Sequence, residues 1–378
     1  MFRHSYYPPI LVIRASVILL LVSTILTLRS TSRVERLKTE FGQQWSVGFW
    51  TSSGPNPVSD IDWGGLTHIA HIGIQPRADS ALTYLCAWSF CSNSQFGGEA
   101  TALIRAAHQN NVKVLLVVNN ASGELYSKAI SHDIDKLVKQ IMTVVRTYGY
   151  DGIDVDWENS VNWSQMELLL SSLRKSMGSG VLTVDAVSND AGQWGSLQGY
   201  VDRVSVMTYD MAGTWNPYSW FNAALYGDPG DGVWSVELAK VRMAKAGVPA
   251  AKLNIGIPFY GWMSLGGSVT GPRQTWKSTP PSLSQINYNR LSSQYNLSTR
   301  IWDNAAQVPW VRIGNGWITF DDARSITAKV SYARRNKLGG WVIWALDQDY
   351  FPSQTPRHPL LAAIKHAVEM DTASVGSL

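Results

Sequence analysis

From Trp45 onward, short apolar runs alternate with longer stretches in which apolar residues recur at helical spacing. Ser46 to Trp50, His68 to Gln75, Lys113 to Val118, Val181 to Val187, Arg203 to Thr208, Lys252 to Phe259 and Gly340 to Leu346 read as strands. Each is brief, rich in β-branched or aromatic residues, and bounded by turn formers. Asp151 to Glu158 is an eighth, fourth in chain order. Helical spacing falls near Glu99 to Asn110, Ile134 to Thr147, Val236 to Ala246 and Asp321 to Lys337, with a closing helix over Pro359 to Val368. Apolar strands alternating with helices imply a parallel sheet, and eight such units imply a closed α/β barrel of the (β/α)8 kind. The other architecture with this rhythm is an open doubly wound sheet, but no glycine-rich phosphate fingerprint opens any helix. One segment, 262–317, breaks the rhythm between the seventh and eighth strands. It is too long for a structureless loop and reads as a small α+β insertion.

The fourth strand carries the candidate chemistry. In Asp151-Gly152-Ile153-Asp154-Val155-Asp156-Trp157-Glu158 the side chains alternate between faces, so Asp154, Asp156 and Glu158 share one face. Ile153, Val155 and Trp157 occupy the other, apolar enough to pack under helices. Same-face neighbours lie roughly 6–7 Å apart along a strand. Three carboxylates in a row repel one another, and such a row persists where it shares protons for chemistry or holds a metal. The plain alternative is an edge strand with solvated acidic positions. Tyr148-Gly149-Tyr150 before the strand and a helical segment after it argue for an interior strand instead. Depth and mutual repulsion then keep at least one proton on the cluster near neutrality, as a general acid requires. Asp151 has the opposite parity and reads as structural. Mg²⁺ or Ca²⁺ on these carboxylates would need further oxygen ligands. No additional ligand cluster is evident, so no metal or cofactor is expected.

Asp-x-x-Asp-x-Asp-x-Glu after a Tyr-Gly-Tyr lead resembles the signature of glycoside hydrolase family 18, the chitinase family. Two further motifs agree with the resemblance. Met207-Thr208-Tyr209-Asp210 closes the sixth strand and is similar to the family's Met-x-Tyr-Asp. Trp344 lies in the eighth strand where the family places an aromatic floor under the sugar. The resemblance runs from Trp45 to about His366. It implies a TIM barrel that cleaves β-1,4-linked N-acetylglucosamine polymers, chitin first, with retention of configuration. Glu158 would be the general acid and base, Asp156 would orient the substrate's acetamido group, and Asp154 would share a proton behind it. Tyr209, Asp210 and Met207 would contact the sugar, with Trp344, Trp50 and Trp215 as aromatic surfaces, and Trp88, Trp220 and Trp262 as further candidates. Sugar C–H faces pack well on such rings. Two departures bear on the shape of the sugar subsites. Val118-Asn119-Asn120-Ala121-Ser122-Gly123 lacks the family's paired glycines after the third strand, and Asn159 stands where a Tyr is common. Other readings within the resemblance are a sugar-binding lectin that does not cleave, or a hydrolase of peptidoglycan or of the N-glycan core. Met211-Ala212-Gly213-Thr214-Trp215 favours a chitinase.

Composition changes this picture only at the edges. The chain has 378 residues, 17 of them Trp, and a formal charge of +4 with no long basic run, so nucleic acid is not an expected partner. A monomer is expected. Ala15 to Leu28 is an uninterrupted apolar-to-neutral run, preceded by Arg3 and Arg14 and followed by Arg29, Arg33 and Arg36. Its length suits an export signal, cleaved or kept as a membrane tether. The expected division is therefore a leader and linker over 1–41, the barrel over 42–370, and a disordered tail over 371–378. The catalytic domain would be secreted, or anchored with its active face outside. In that setting Cys86 and Cys91 can pair. Asn120, Asn162 and Asn296 stand in Asn-x-Ser sequons.

Overall fold

A computed structural model of the protein describes residues 44–375, apart from 52–55, 88, 120–122, 217, 229–232, 267–268 and 276–281. The leader at 1–41 and Trp88 lie outside the described residues. Among the described residues, no helix is long and apolar enough to cross a membrane.

Eight parallel strands form the frame. They are β1 (Trp45–Trp50), β2 (His68–Pro76), β3 (Lys113–Asn119), β4 (Gly152–Asp156), β5 (Val181–Ala186), β6 (Arg203–Val206), β7 (Leu253–Pro258) and β8 (Gly340–Trp344). Each pairs with its neighbours in sequence, and β1 pairs with both β8 and β2, so the sheet closes on itself. The helices between them are α1 (Asn93–Gln109), α2 (Glu124–Tyr148), α3 (Trp163–Met177), α4 (Ala191–Leu197), α5 (Val236–Lys245), α6 (Ala323–Arg335) and α7 (Pro359–Val375). Strand interiors are buried on both faces, as a barrel wrapped by helices requires.

Several boundaries differ from the sequence reading for local reasons. Helix α1 starts six residues before Glu99, because Ser92 and Gln95 form a reciprocal capping box that carries the helix through Gly97 and Gly98. Helix α2 starts at Glu124 and runs through a kink at Asp133, where the backbone turns extended at φ −166°. Helix α7 continues to Val375, through part of the stretch expected to be a disordered tail.

Two additions sit on the barrel. A hairpin of Leu82–Cys86 and Ser89–Cys91 pairs antiparallel with the end of β2 and is closed by a Cys86–Cys91 disulfide. Between β7 and α6, the strands Tyr260–Leu265, Ser282–Asn287, Ile301–Asp303, Val308–Ile313 and Gly316–Thr319 form a separate five-stranded antiparallel sheet. The helix Tyr288–Gln294 packs on it, and Ile286, Leu291, Val311, Ile318 and Phe320 form its apolar core.

Candidate active site

Register decides which side chains meet inside the barrel. Asn119 of β3 pairs with Asp156 of β4, and Asp154 pairs with Thr183 of β5. These pairings convert directly into side-chain contacts. Asn119 Nδ2 donates to Asp156, and Thr183 Oγ1 donates to Asp154. Both aspartates are 2 % exposed. Strand pairing stops at Asp156, so Glu158 stands just past the strand's end and opens to the mouth.

The segment carrying Glu158 is held from the apolar side. Trp157 points away from the carboxylates, is 1 % exposed, and stacks on Tyr126 of α2 at 4.7 Å between ring centroids. Its Nε1 donates to the Asn159 carbonyl at 3.1 Å. Gly123 comes so close that a Cβ there would lie 1.6 Å from the same carbonyl oxygen. Gly123 also adopts φ +72°, where side chains strain the backbone. Asn159 and the single Gly123, both departures from the family pattern, are therefore packed against each other.

Asp151 lies at the other end of β4. One of its oxygens accepts from the Val114 amide at 2.7 Å and contacts His108 Nε2 at 2.9 Å, a structural joint.

The carboxyls form two hydrogen-bonded contacts. Asp156 bonds to Glu158, and Asp154 bonds to Asp185, a residue of β5 that the sequence reading passed over. Two carboxyls can hydrogen-bond only with a proton between them. Burial pushes Asp156 well above the usual carboxylate range, and the charges of Glu158 and Asp154 push the same way. Burial raises Asp185 similarly, with Asp154 and Asp156 adding to it. Burial also raises Asp154, against the lowering effect of its bonds to Thr183 and Asp185. Enclosure raises Glu158 against the lowering effect of its bond to Asp156, and nearby Asp210 adds to the rise. Among the described residues, no group of three or more His, Cys, Asp or Glu side chains is arranged to hold a metal ion.

Tyr209 and Asp210 follow β6. The Tyr209 ring lies against the bare face of Gly256, where a Cβ would come within 2.7 Å of its Cε1. Asp210 takes φ +56°, held there by its amide donating to Asn222 Oδ1 at 2.9 Å. One Asp210 oxygen then accepts from Tyr260 Oη at 2.6 Å, Trp262 Nε1 at 2.7 Å and Gln285 Nε2 at 3.4 Å. All three donors come from the inserted sheet, which therefore forms one wall of the site. Tyr260, Gln285 and Asn222 carry no motif in the sequence, and only the fold brings them here.

A cleft of about 290 Å³ opens beside Glu158 and Asp210, lined among others by Met207, Tyr209, Trp215 and Trp234. Trp215 is 60 % exposed and meets Trp262 edge to face at 6.1 Å. Trp344 ends β8 half-buried, packed on the interior apolar cluster with Phe49 5.1 Å away. Two other candidate tryptophans go inward. Trp50 is 5 % exposed with its ring 5.4 Å from His71, and Trp220 is fully buried in the cluster beside Phe221. Neither offers a face to a ligand.

With this geometry in view, the chain was compared with known proteins. The family model described as glycosyl hydrolases family 18 matches residues 46–349. A probable endochitinase of Caenorhabditis elegans is 29 % identical over 263 residues, which cover 60 % of this chain but only 42 % of that protein's length. The fold matches a Group IV chitinase of Ostrinia furnacalis solved in complex with allosamidin. The TM-score is 0.73 at 23 % identity, covering 86 % of this chain and 99 % of that one. It also matches human YKL-39, described as a pseudo-chitinase with retained chitooligosaccharide binding. There the TM-score is 0.72 at 18 % identity, covering 86 % of this chain and all of that one. At such identities the structural matches speak for the fold alone.

Proposed function

This chain belongs to glycosyl hydrolases family 18, and on that premise we propose that it cleaves β-1,4-linked N-acetylglucosamine polymers, chitin first, by retaining, substrate-assisted catalysis. The observation that carries the reading is the Asp156–Glu158 hydrogen bond at the mouth of a barrel where, among the described residues, no Lys or Arg acts on the deeper carboxyls. One proton shared across that bond is available to the glycosidic oxygen through Glu158. A second carboxylate acting as nucleophile is the ordinary retaining design, but this family is an exception in which the substrate supplies the nucleophile. The acetamido oxygen attacks the anomeric carbon as the glycosidic bond breaks, and Glu158 gives its proton to the departing oxygen. Asp156 and Tyr209 face the resulting oxazolinium ion. Glu158, now a carboxylate, takes a proton from the incoming water, which opens the ring and restores the acetamide.

Asp210 and Tyr209 hold the sugar from the β6 side, with Trp215 and Trp344 as apolar surfaces. The Cys86–Cys91 disulfide suits an oxidising compartment, which supports the reading that the catalytic domain works outside the cell, secreted or tethered by its leader.

Glu158→Gln tests the reading. Loss of proton donation should lower turnover of chitin oligosaccharides by about 10²–10⁴-fold, with folding and oligosaccharide binding kept. A variant cleaving at the parent rate would refute it. A parent protein that binds the oligosaccharides without cleaving them would place it with the binding-only relatives.

A further inference from the structure

Asp185 carries the inference. It lies on β5 two residues beyond Thr183, on the same inward face, and Thr183 is paired with Asp154. That step brings Asp185 to the level of Asp156 on the next strand. It is 5 % exposed. Its carboxyl bonds to Asp154, and the charges acting on it are Asp154, Asp156 and Glu158 of the β4 segment. Tyr209 faces it from the end of β6, and Tyr126 faces the same group of acids from α2.

Two buried oxygens define the problem that Asp185 solves. Asp154 has one oxygen on Thr183, and its other has no N–H or alcohol donor. Asp156 has one oxygen on Asn119, and its other likewise has none. Among the described residues, the groups that bond to these two acids beyond Thr183 and Asn119 are carboxyls, and two carboxyls bond only with a proton between them. Asp185 pairs with Asp154 in a bond that raises Asp185 and lowers Asp154, and Asp156 pairs with Glu158 in a bond that raises Asp156 and lowers Glu158, so Asp185 and Asp156 are the members that hold the protons. The four acids are thus two proton-sharing pairs rather than one chain.

We propose that Asp185 is a positioning residue that acts through Asp154: by keeping its own proton on Asp154 it satisfies that buried carboxylate and leaves the Asp156 proton to be shared with Glu158 alone. This rests on the reading of Glu158 as the general acid. Without Asp185, Asp154 retains a single donor in a buried site and draws a proton, either from solvent or from Asp156. The first outcome removes a negative charge that opposes ionisation of the Asp156–Glu158 pair, and that pair then gives up its last proton at lower pH. The second takes the proton from the pair directly. Either way the acid form of Glu158 is lost sooner as pH rises.

Asp185→Ala and Asp185→Asn separate this from a packing role, because the asparagine amide still donates to Asp154 but cannot titrate. Carbon-13 NMR of side-chain-labelled aspartate in the substrate-free full chain reads the protons themselves. Near neutral pH the parent should show Asp154 ionised and Asp185 protonated. Asp154 should become protonated in Asp185→Ala and stay ionised in Asp185→Asn. Kinetics on chitin oligosaccharides should show kcat down about tenfold in Asp185→Ala, less than the roughly 10²–10⁴-fold expected from losing the acid itself. KM should be near the parent value, and the alkaline limb of the kcat/KM profile displaced to lower pH. Asp185→Asn should recover most of kcat and the parent limb. Asp185 ionised in the parent, Asp154 still ionised in Asp185→Ala, or equal losses in both variants would overturn the proposal. The NMR readings need no substrate. A parent that fails to cleave chitin oligosaccharides therefore defeats the proposed function and leaves this test intact.

Discussion

Asp321 and Asp154 are buried almost equally, at 1 % and 2 % exposure, yet their surroundings differ in kind. Asp321, at the start of α6, receives Lys329 Nζ at 2.6 Å on each oxygen and Ser325 Oγ at 2.6 Å. Lys329 is itself fully enclosed. Burial raises the Asp321 carboxyl and lowers the Lys329 ammonium, while their contact favours the charged pair. Among the described residues, Asp154, Asp156 and Asp185 have no such cation and meet one another. A buried carboxylate with a fitted lysine is fixed in one charge state and has nothing to exchange. Buried carboxyls that meet one another without a cation must hold protons, and held protons can be exchanged. The same fold thus buries acid twice, once with a fitted cation and once without.

The comparison breaks most sharply at Lys329. Lys329→Met leaves Asp321 buried with Ser325 alone, and unfolding in denaturant should show a loss of about 3–5 kcal/mol. Adding Asp321→Leu to that variant should restore most of it, since replacing both partners with apolar groups is often near neutral. Full stability in Lys329→Met would mean that the pair is not what holds α6.

On the mouth side, volume should matter more than charge. Gly256→Ala drives a methyl into the Tyr209 ring and the Thr208 amide, each closer than 3 Å. It should cost about 1–3 kcal/mol and also lower turnover, because the ring has to move. A fully active Gly256→Ala would show that Tyr209 is not held in place by this contact.

The smallest effect is the most specific. The carboxyls of Asp154, Asp156 and Asp185 are raised above the ordinary 3.8 of an unfolded aspartate. A raised carboxyl favours the folded state below that value, and the contribution fades as pH climbs through the folded-state value. Asp185→Asn cannot ionise, so its melting temperature should match the parent near pH 3.8 and exceed it increasingly toward neutral and alkaline pH. A gap that narrows with rising pH would contradict the burial of an ionisable acid there.

How far the sequence showed this follows from the range of each signal. The three acids of β4 were legible because strand alternation places residues i, i+2 and i+4 on one face, a purely local rule. Asp185 was not, because its partner lies on another strand and meeting it depends on register. The available hint was Thr183 and Asp185 at equal parity in an otherwise apolar run. The eight-strand rhythm showed the barrel, while capping at Ser92 set a helix start that Gly97 and Gly98 disguised. Tryptophan was the least informative residue. Trp215 lines the cleft with Trp262 against it, while Trp50 and Trp220 fill the interior, and nothing adjacent to them in sequence separates the two sets.

The central claim is that the substrate's own acetamide attacks the anomeric carbon from within this cleft. Held beside that carbon, the amide oxygen reacts intramolecularly, an advantage that can reach roughly 7–11 kcal/mol. Attack and release then occur on one face of the sugar. Proton NMR of the earliest products from an N-acetylglucosamine oligomer reads that face directly. The account predicts that the β-anomer appears first and the α-anomer only later by mutarotation; α-anomer in the first products would contradict it.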